Sequence, residues 1–432
     1  MAELVKLQWQ PADQSGLVAA DRRGGSYSAY IPDPLCRRPL AIDGDLGTSA
    51  AEAERAIRGL SMLPGSRGLA AISRLLTRSE AISSSMIEGI APSPQQVALA
   101  ELGLTEKVGG LSDKARLVAN NIAVLRTASG ELVSSPAIQA TDIEALHDGL
   151  LPNERHRGIR TVQNWIGGSN WNPLSAQFVP PPPDTVPILV DDLVRYINGA
   201  THGPLIQAGL AHAQFETIHP FTDGNGRVGR ALIHTVLARG GLSPDAVLPI
   251  SLVLATLGDR YVEGLNGYRY LGPADSDAAV SGHTAWLTFF IKAAAIAIDQ
   301  AAQLASDVSA LEAVWHYKVQ QNRADRGLRT APRANSASQR MLSLLPEAPV
   351  LTARSAQRLV EVSFNAARNA LEELADAGIL TRKLIERGTT GYLAHDVLDL
   401  VGITERRLAS TQFDTRISPP SRPAPAHPPA RK

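Results

Sequence analysis

Twelve residues, His219-Pro220-Phe221-Thr222-Asp223-Gly224-Asn225-Gly226-Arg227-Val228-Gly229-Arg230, constrain this chain more than any other feature. They lie between two apolar segments of helical period. Leu205, Ile206, Leu210, Ala211, Phe215 and Ile218 precede them, and Ala231, Leu232, Val236 and Leu237 follow. The spacing predicts two buried helices joined by a loop. Gly224 and Gly226 let backbone approach closely in that loop. N–H groups opening the second helix would then face an anion, which the helix dipole favours. Arg227 and Arg230 lie three apart on its first turns and can fork onto phosphate oxygens. Asp223 offers a hard oxygen to Mg²⁺, and His219 can take a proton from a hydroxyl near neutral pH. A base, a metal ligand and two cations suit attack on a polyphosphate, where positioning and electrostatics carry the catalysis.

This order of residues resembles the signature His-x-Phe-x-Asp/Glu-Gly-Asn-Gly-Arg-x-x-Arg of the Fic family, with every position intact. The resemblance implies a protein adenylyltransferase that moves AMP from ATP to a Tyr, Thr or Ser hydroxyl of a target protein or of itself. It makes His219 the base and Asp223 the Mg²⁺ ligand. The backbone of Gly224, Asn225 and Gly226 would form the anion hole, with the Asn225 side chain on the α-phosphate. Arg227 would meet the β-phosphate and Arg230 the γ-phosphate, with Val228 and Gly229 completing the phosphate-binding run. Phe221 would anchor the loop in the core. Gly224 stands where the phosphorylating Doc-type relatives carry lysine, which favours nucleotidyl over phosphoryl transfer.

Upstream, Ser84-Ser85-Met86-Ile87-Glu88-Gly89 closes a helical pattern through Leu75, Ile82, Met86 and Ile87. Taken alone, Glu88 is a solvated carboxylate. Beside the first motif it resembles the Fic inhibitory motif Ser/Thr-x-x-x-Glu-Gly/Asn, ended by Gly89. That resemblance implies a helix around 70–89 in which Ser84 steadies the turn and Glu88 pairs with Arg230. In some relatives the same glutamate serves AMP removal, and the sequence leaves both roles open.

The run Gly158–Gly168 has β-type residues bounded by glycines, and Phe178 and four prolines follow it. It resembles the Fic flap, a hairpin whose edge pairs with a target segment. Thr161, Val162, Gln163, Trp165 and Ile166 are its candidate contacts. Tyr261 stands where relatives meet adenine and equally suits a core position.

The 432 residues are enough for two or three domains, and 44% apolar content is ample for real cores. Zero net charge argues for neither nucleic acid nor membrane. The single cysteine, Cys36, excludes an internal disulfide framework. The start of the chain lacks a signal-peptide layout, and Ala285–Ala305, broken by Lys292, Asp299 and Gln300, reads as a buried helix rather than a membrane span. A cytoplasmic protein is expected.

The expected architecture is mainly α, a Fic-type helical core with a β-hairpin flap and then a small α+β winged helix-turn-helix domain. Residues 1–134 form the N-terminal helical region, its first 50 residues turn-rich. There Tyr30-Ile31-Pro32-Asp33-Pro34-Leu35 resembles the start of larger Fic proteins. Residues 135–300 form the Fic core, 301–337 a helix and linker (the polar, arginine-rich 320–337), 338–402 the winged helix, and 403–432 a disordered tail. In the fourth block Ser363 caps a helix presenting Asn365, Arg368 and Asn369, the layout of a DNA reader. Residues 346–402 nevertheless hold six Lys/Arg against eight Asp/Glu. That balance favours protein docking or a homodimer contact over DNA. Transfer of UMP or phosphocholine, removal of AMP, and a nucleotide-sensing DNA-binding regulator remain the alternatives.

Overall fold

The helices follow the apolar periodicity closely around the motif and less closely at both ends of the chain. The computed structural model describes residues 1–10, 18, 21–37, 40, 42–60, 72–151, 157–199, 201–242 and 246–412. Two strands, β1 (Glu3–Trp9) and β2 (Gly25–Ile31), open the chain, followed by α1 (Gly44–Leu60), α2 (Ser73–Ile87), α3 (Pro94–Gly103) and α4 (Asp113–Ser129). The short α5 (Glu131–Ser134) and α6 (Ala140–Leu150) precede an irregular stretch. Then come α7 (Val186–Asn198), α8 (Pro204–Ile218), α9 (Asn225–Arg239), α10 (Ile250–Thr256) and α11 (Gly258–Tyr268). A 49-residue helix, α12 (Asp277–Asp325), leads to α13 (Ala337–Leu344), β3 (Val350–Leu351), α14 (Ala353–Val360) and α15 (Phe364–Asp376). The strands β4 (Thr381–Glu386) and β5 (Thr389–Leu393) and the helix α16 (His395–Thr411) complete it.

The chain divides into two compact units. The first holds 1–63, 117–248 and 259–298, and the second holds 64–116, 249–258 and 299–432. The expected block 1–134 is therefore divided between them. The expected linker at 320–337 is helical as far as Asp325, because α12 runs on without a break. The expected tail at 403–432 is likewise helical to Thr411. Thr404, Leu408 and Ala409 bury one face of α16, and apolar contact along one helix face outweighs the polar composition. The proline-rich remainder lies outside the described residues.

In the first unit, α8 and α9 form the centre, and α8 is buried from Leu205 to Ile218. A helix buried on every face, polar residues such as Gln207 and Gln214 included, lies in the middle of a core. The Glu54 carboxylate of α1 accepts the Leu205 N–H at 3.0 Å, satisfying one donor at the α8 N-terminus. From α12, Trp286 is fully buried and donates its indole N–H to the Gly209 carbonyl at 2.8 Å. By length and composition α12 could cross a membrane, yet half of its apolar window is buried inside the protein. The first 31 residues, expected to be turn-rich, instead carry the antiparallel β1–β2 pair, in register from Glu3↔Ile31 to Trp9↔Gly25. The period-two alternation of Val5, Leu7 and Trp9 with Lys6 and Gln8 is its sequence signal.

In the second unit, α2 packs on α10. The buried Glu80 carboxylate accepts the Ser251 N–H at 2.8 Å, at the first turn of α10, and also the Ser251 hydroxyl. Arg78, 2% exposed, donates to Glu101 at 2.9 Å and to the Glu347 carbonyl at 3.1 Å. This ties α2 to the segment before β3. Thr352 and Ser355 form a capping box at α14, and Ser363 caps α15, accepting the Ala366 N–H at 3.2 Å. The strands β3, β5 and β4 make one antiparallel sheet in that order. Its inner face joins Ala98, Leu99 and Leu102 of α3 in one core with Val350, Ile385, Leu393 and Leu398.

Glu405, half-buried on α16, places Oε1 out of water with no hydrogen-bond partner. Burial pushes its carboxyl from the ordinary 4.5 up to about 7, against a smaller opposing pull from Arg406. The folded state thus holds this proton more tightly than the unfolded chain does. The group's stabilisation is complete below pH 4.5 and is lost as pH rises through 7. Glu405→Gln is expected to stabilise the protein by about 1 kcal/mol at pH 8 and to change little at pH 5. Thermal melts of the two proteins at both pH values check this.

Candidate active site

The motif loop is built by the ends of two buried helices. His219 ends α8 in the left-handed conformation, φ 50° and ψ 60°. Gly224 precedes α9 with φ 79°, where a Cβ would come within 3.2 Å of Leu150 and Leu151. Both facts require glycine there. The N-terminus of α9 lies at this loop, and the backbone dipoles there suit an anion.

The loop is braced from three sides. Phe221, 1% exposed, stacks on the His147 ring of α6 at 4.0 Å. His147 Nε2 donates to the Asp223 carbonyl at 3.1 Å. Arg160 donates from Nε to the His219 carbonyl at 2.8 Å and from Nη2 to the Pro181 carbonyl at 2.6 Å, and its backbone N–H bonds the Pro220 carbonyl at 2.9 Å. Burial pushes the Arg160 guanidinium down to about 10, so it stays charged at neutral pH. Asn164 Nδ2 donates to the Phe221 carbonyl at 2.9 Å. None of His147, Arg160 and Asn164 was singled out from the sequence. Arg160 sits inside the glycine-bounded run, which was the available signal.

The functional side chains point two ways. Asp223 is 58% exposed, and its Oδ1 accepts the Gly224 N–H at 2.6 Å and lies 3.9 Å from Arg227 Nη2. The His219 side chain is 19% exposed, with Nδ1 3.8 Å from Oε2 of the buried Glu216. Arg227 and Arg230 are buried, at 2% and 1% exposure. The nearly parallel rings of His212 and Tyr261 lie behind α9, with His212 Nε2 and the Tyr261 hydroxyl 2.8 Å apart. Burial, reinforced by the charge of Arg230, pushes His212 down to about 3 and keeps it neutral.

Several expectations need correction. The Asn225 side chain is turned inward. Its Oδ1 accepts the Phe221 N–H and its Nδ2 donates to the Phe221 carbonyl, both at 2.8 Å. Asn225 is first a brace of the loop, because a buried turn must satisfy its own backbone groups. An amide has two N–H groups, and the phosphate reading keeps one of them. Val228 is fully buried. A Cβ at Gly229 would come within 3 Å of Glu216 and Phe215, so Gly229 lets α9 approach α8. Both positions serve packing of α9 on its neighbours. Tyr261, 4% exposed with its hydroxyl at His212, is a core tyrosine.

The flap carries no hairpin among the described residues. One antiparallel bridge joins Ile166 to Phe178, with Ile166 N–H donating to the Phe178 carbonyl at 2.8 Å. Gly167 and Gly168 have φ near 74° and the prolines after Val179 lack N–H groups, so the ladder cannot extend. Side chains replace it. Gln163 donates to the Pro180 carbonyl at 3.0 Å, Trp165 packs on Trp9 at 5.3 Å, and the Arg269 guanidinium lies 3.6 Å over Phe178. Thr161 and Val162 stay exposed.

In the second unit, α2 ends where expected. Glu88 is its C-cap and is exposed, Gly89 has φ 75°, and Ser84 is buried at 1%.

Residues 137–237, which contain this loop and its braces, match the family model described as Fic/DOC family. That segment, about a quarter of the chain, is similar to the Fic/DOC family. The chain is 34% identical over 145 residues to "Protein adenylyltransferase fic-1" of Caenorhabditis elegans, which covers 29% of this chain and 26% of the worm protein. It is 34% identical over 128 residues to "Protein adenylyltransferase Fic" of Drosophila melanogaster, covering 28% and 24%. The chain thus spans about a quarter of the length of the curated relatives it matches. Among solved structures, a Fic family protein from Desulfovibrio desulfuricans G20 aligns over 83% of this chain and 98% of its own, at 21% identity and a TM-score of 0.48.

Proposed function

We propose that this protein is an adenylyltransferase that moves AMP from ATP to a hydroxyl on a protein. The observation that carries this is the juxtaposition at one loop of His219, the α9 N-terminus and two buried arginines. Arg227 and Arg230 are 2% and 1% exposed, and guanidinium groups beside a helix N-terminus suit the charge of a polyphosphate. Glu216 near Nδ1 favours the tautomer with the proton on that nitrogen, which leaves Nε2 as the base. In the reaction the target hydroxyl attacks the α-phosphorus, and its proton passes to His219 Nε2. The bond from the α-phosphorus to the bridging oxygen breaks, and pyrophosphate leaves with Arg227 and Arg230 neutralising its charge.

Asp223 suits Mg²⁺ in one respect, an accessible carboxylate beside the anion site. Among the described residues no group of three His, Cys, Asp or Glu could hold a metal without substrate. Mg²⁺ binds through one or two carboxylates plus phosphates, so Asp223 would hold it only together with the nucleotide. Its chemistry there would be charge neutralisation on the phosphates.

On the same reading Glu88 is a brake that competes with the γ-phosphate for Arg230, the exposed Thr161–Val162 edge is where a target segment docks, and 338–402 is a winged helix. The order α13, β3, α14, α15, β4, β5 and the sheet order β3-β5-β4 support the last point. Intact-mass spectrometry after incubation with ATP or UTP tests the transferred group. An added AMP, on this chain or on lysate proteins, supports the proposal, and an added UMP with none from ATP refutes it.

A further inference from the structure

We propose that the exposed face of α15, with the β4–β5 turn beside it in the same module, is a binding surface for duplex DNA. Composition alone counts against this, with eight acidic residues to six basic ones across 346–402. The structure changes the weight of that count, because the acids on α15 are already engaged. Glu372 accepts from Arg382 at 2.7 Å and from the Tyr392 hydroxyl at 2.6 Å. The Tyr392 hydroxyl, and after it Arg382, hold the Glu372 carboxyl below its ordinary value. Asp376 accepts from Arg382 at 2.6 Å, and Glu373 accepts from Arg323 and the Ser338 hydroxyl. All three lie on the C-terminal half of the helix, and Arg323 comes from outside the counted segment.

The N-terminal half is different. Phe364, Asn365, Arg368 and Asn369 are all exposed, and their spacing puts them on one face. Lys383 on β4 and Arg387 in the turn are exposed, as is Arg354 on the first turn of α14. Among the described residues no ion pair holds the charged group of Arg354, Arg368, Lys383 or Arg387, although the Glu386 carboxylate accepts the Arg387 backbone N–H at 3.2 Å, whereas Arg358 is held by Glu106 at 3.0 Å. Three cations therefore flank a helix face carrying two asparagines and the fourth cation, Arg368. Cations neutralise phosphates, and Asn and Arg are the side chains that read adenine and guanine edges in the major groove. Exposed Leu359 and Phe364, at 42% and 43%, would suit a protein partner, but they lie among these cations. Charge complementarity favours a polyanion. Glu361, exposed at the turn between α14 and α15, opposes it and marks where affinity can be gained.

The test is fluorescence anisotropy of the full chain with a labelled random-sequence duplex between 50 and 200 mM salt. Four phosphate contacts give a slope of log K against log salt of about −3.5, or roughly a hundredfold loss across that range. Arg368→Ala/Lys383→Ala/Arg387→Ala should bring the slope to about −1, and Glu361→Gln should tighten binding. His219→Ala should leave both unchanged, which separates this surface from the transferase reading. These side chains are exposed, so thermal melts should match wild type and confirm folding. An unchanged slope in the triple variant overturns the proposal, as does no binding at 50 mM salt. A concentration-dependent dimer in sedimentation, broken by Leu359→Ala/Phe364→Ala and accompanied by no duplex binding, also overturns it and assigns the face to protein contact.

Discussion

Replacing His219 is expected to lower AMP transfer by about two to four orders of magnitude while ATP binding changes by less than about threefold, the usual scale for removing a positioned general base. The side chain reaches solvent at the mouth of the loop, whereas the elements that would hold phosphate lie behind it on α9. The backbone of His219 does separate structural work. Its carbonyl accepts from Arg160 and Asn164, and its φ of 50° is unfavourable for most residues. Alanine therefore strains the loop by about 1 kcal/mol. His219→Asn tolerates that conformation better and still lacks a base. Equal loss of transfer in both variants, with unchanged nucleotide affinity by calorimetry, assigns the loss to proton transfer. Near-normal turnover in His219→Asn would remove His219 from the mechanism.

Glu88→Gly is expected to raise transfer by about tenfold to a hundredfold. On the proposed reading Glu88 competes with a phosphate through a charge-assisted bond, worth about 1.5–3 kcal/mol, and its removal would favour nucleotide seating. The substitution is structurally mild. Glu88 is exposed at the end of α2, and a helix C-terminus accepts glycine readily. The helix is held upstream by Arg78 and Glu80, so its loss with the substitution is not expected. Initial rates at subsaturating ATP are the measurement. A KM for ATP that falls as the rate rises marks a brake on nucleotide seating. A slower release of AMP from modified protein, with transfer unchanged, would instead assign Glu88 to AMP removal.

Much of the site was legible because its chemistry is local. His219, Asp223, Arg227 and Arg230 lie within twelve residues, and the periodicity on either side places them between two buried helices. The braces were not legible, since Arg160, Asn164 and His147 act on the loop from 55 to 76 positions away. Spacing carries no information at that range. Asn225, Val228 and Gly229 show a different limit. They belong to the same signature, yet side-chain direction, set by the approach of α9 to α8, turns them toward the core. The extent of strand pairing at the flap was not legible, because β-type residues form a ladder only where both partners can donate, and Pro180–Pro183 cannot. At the C-terminal end, α12 and α16 outran their expected boundaries because buried faces, not composition, decide where a helix stops. The acid-rich count over 346–402 misled in the same way, since pairing decides which charges a partner meets.

The most direct test compares ATP labelled at the α-phosphate with ATP labelled at the γ-phosphate, given to the Glu88→Gly protein and to Glu88→Gly/His219→Asn in the presence of lysate. The account predicts protein-bound label from the α-position only, in the first variant and not in the second. Label arriving from the γ-position, or α-label that persists without His219, would contradict it.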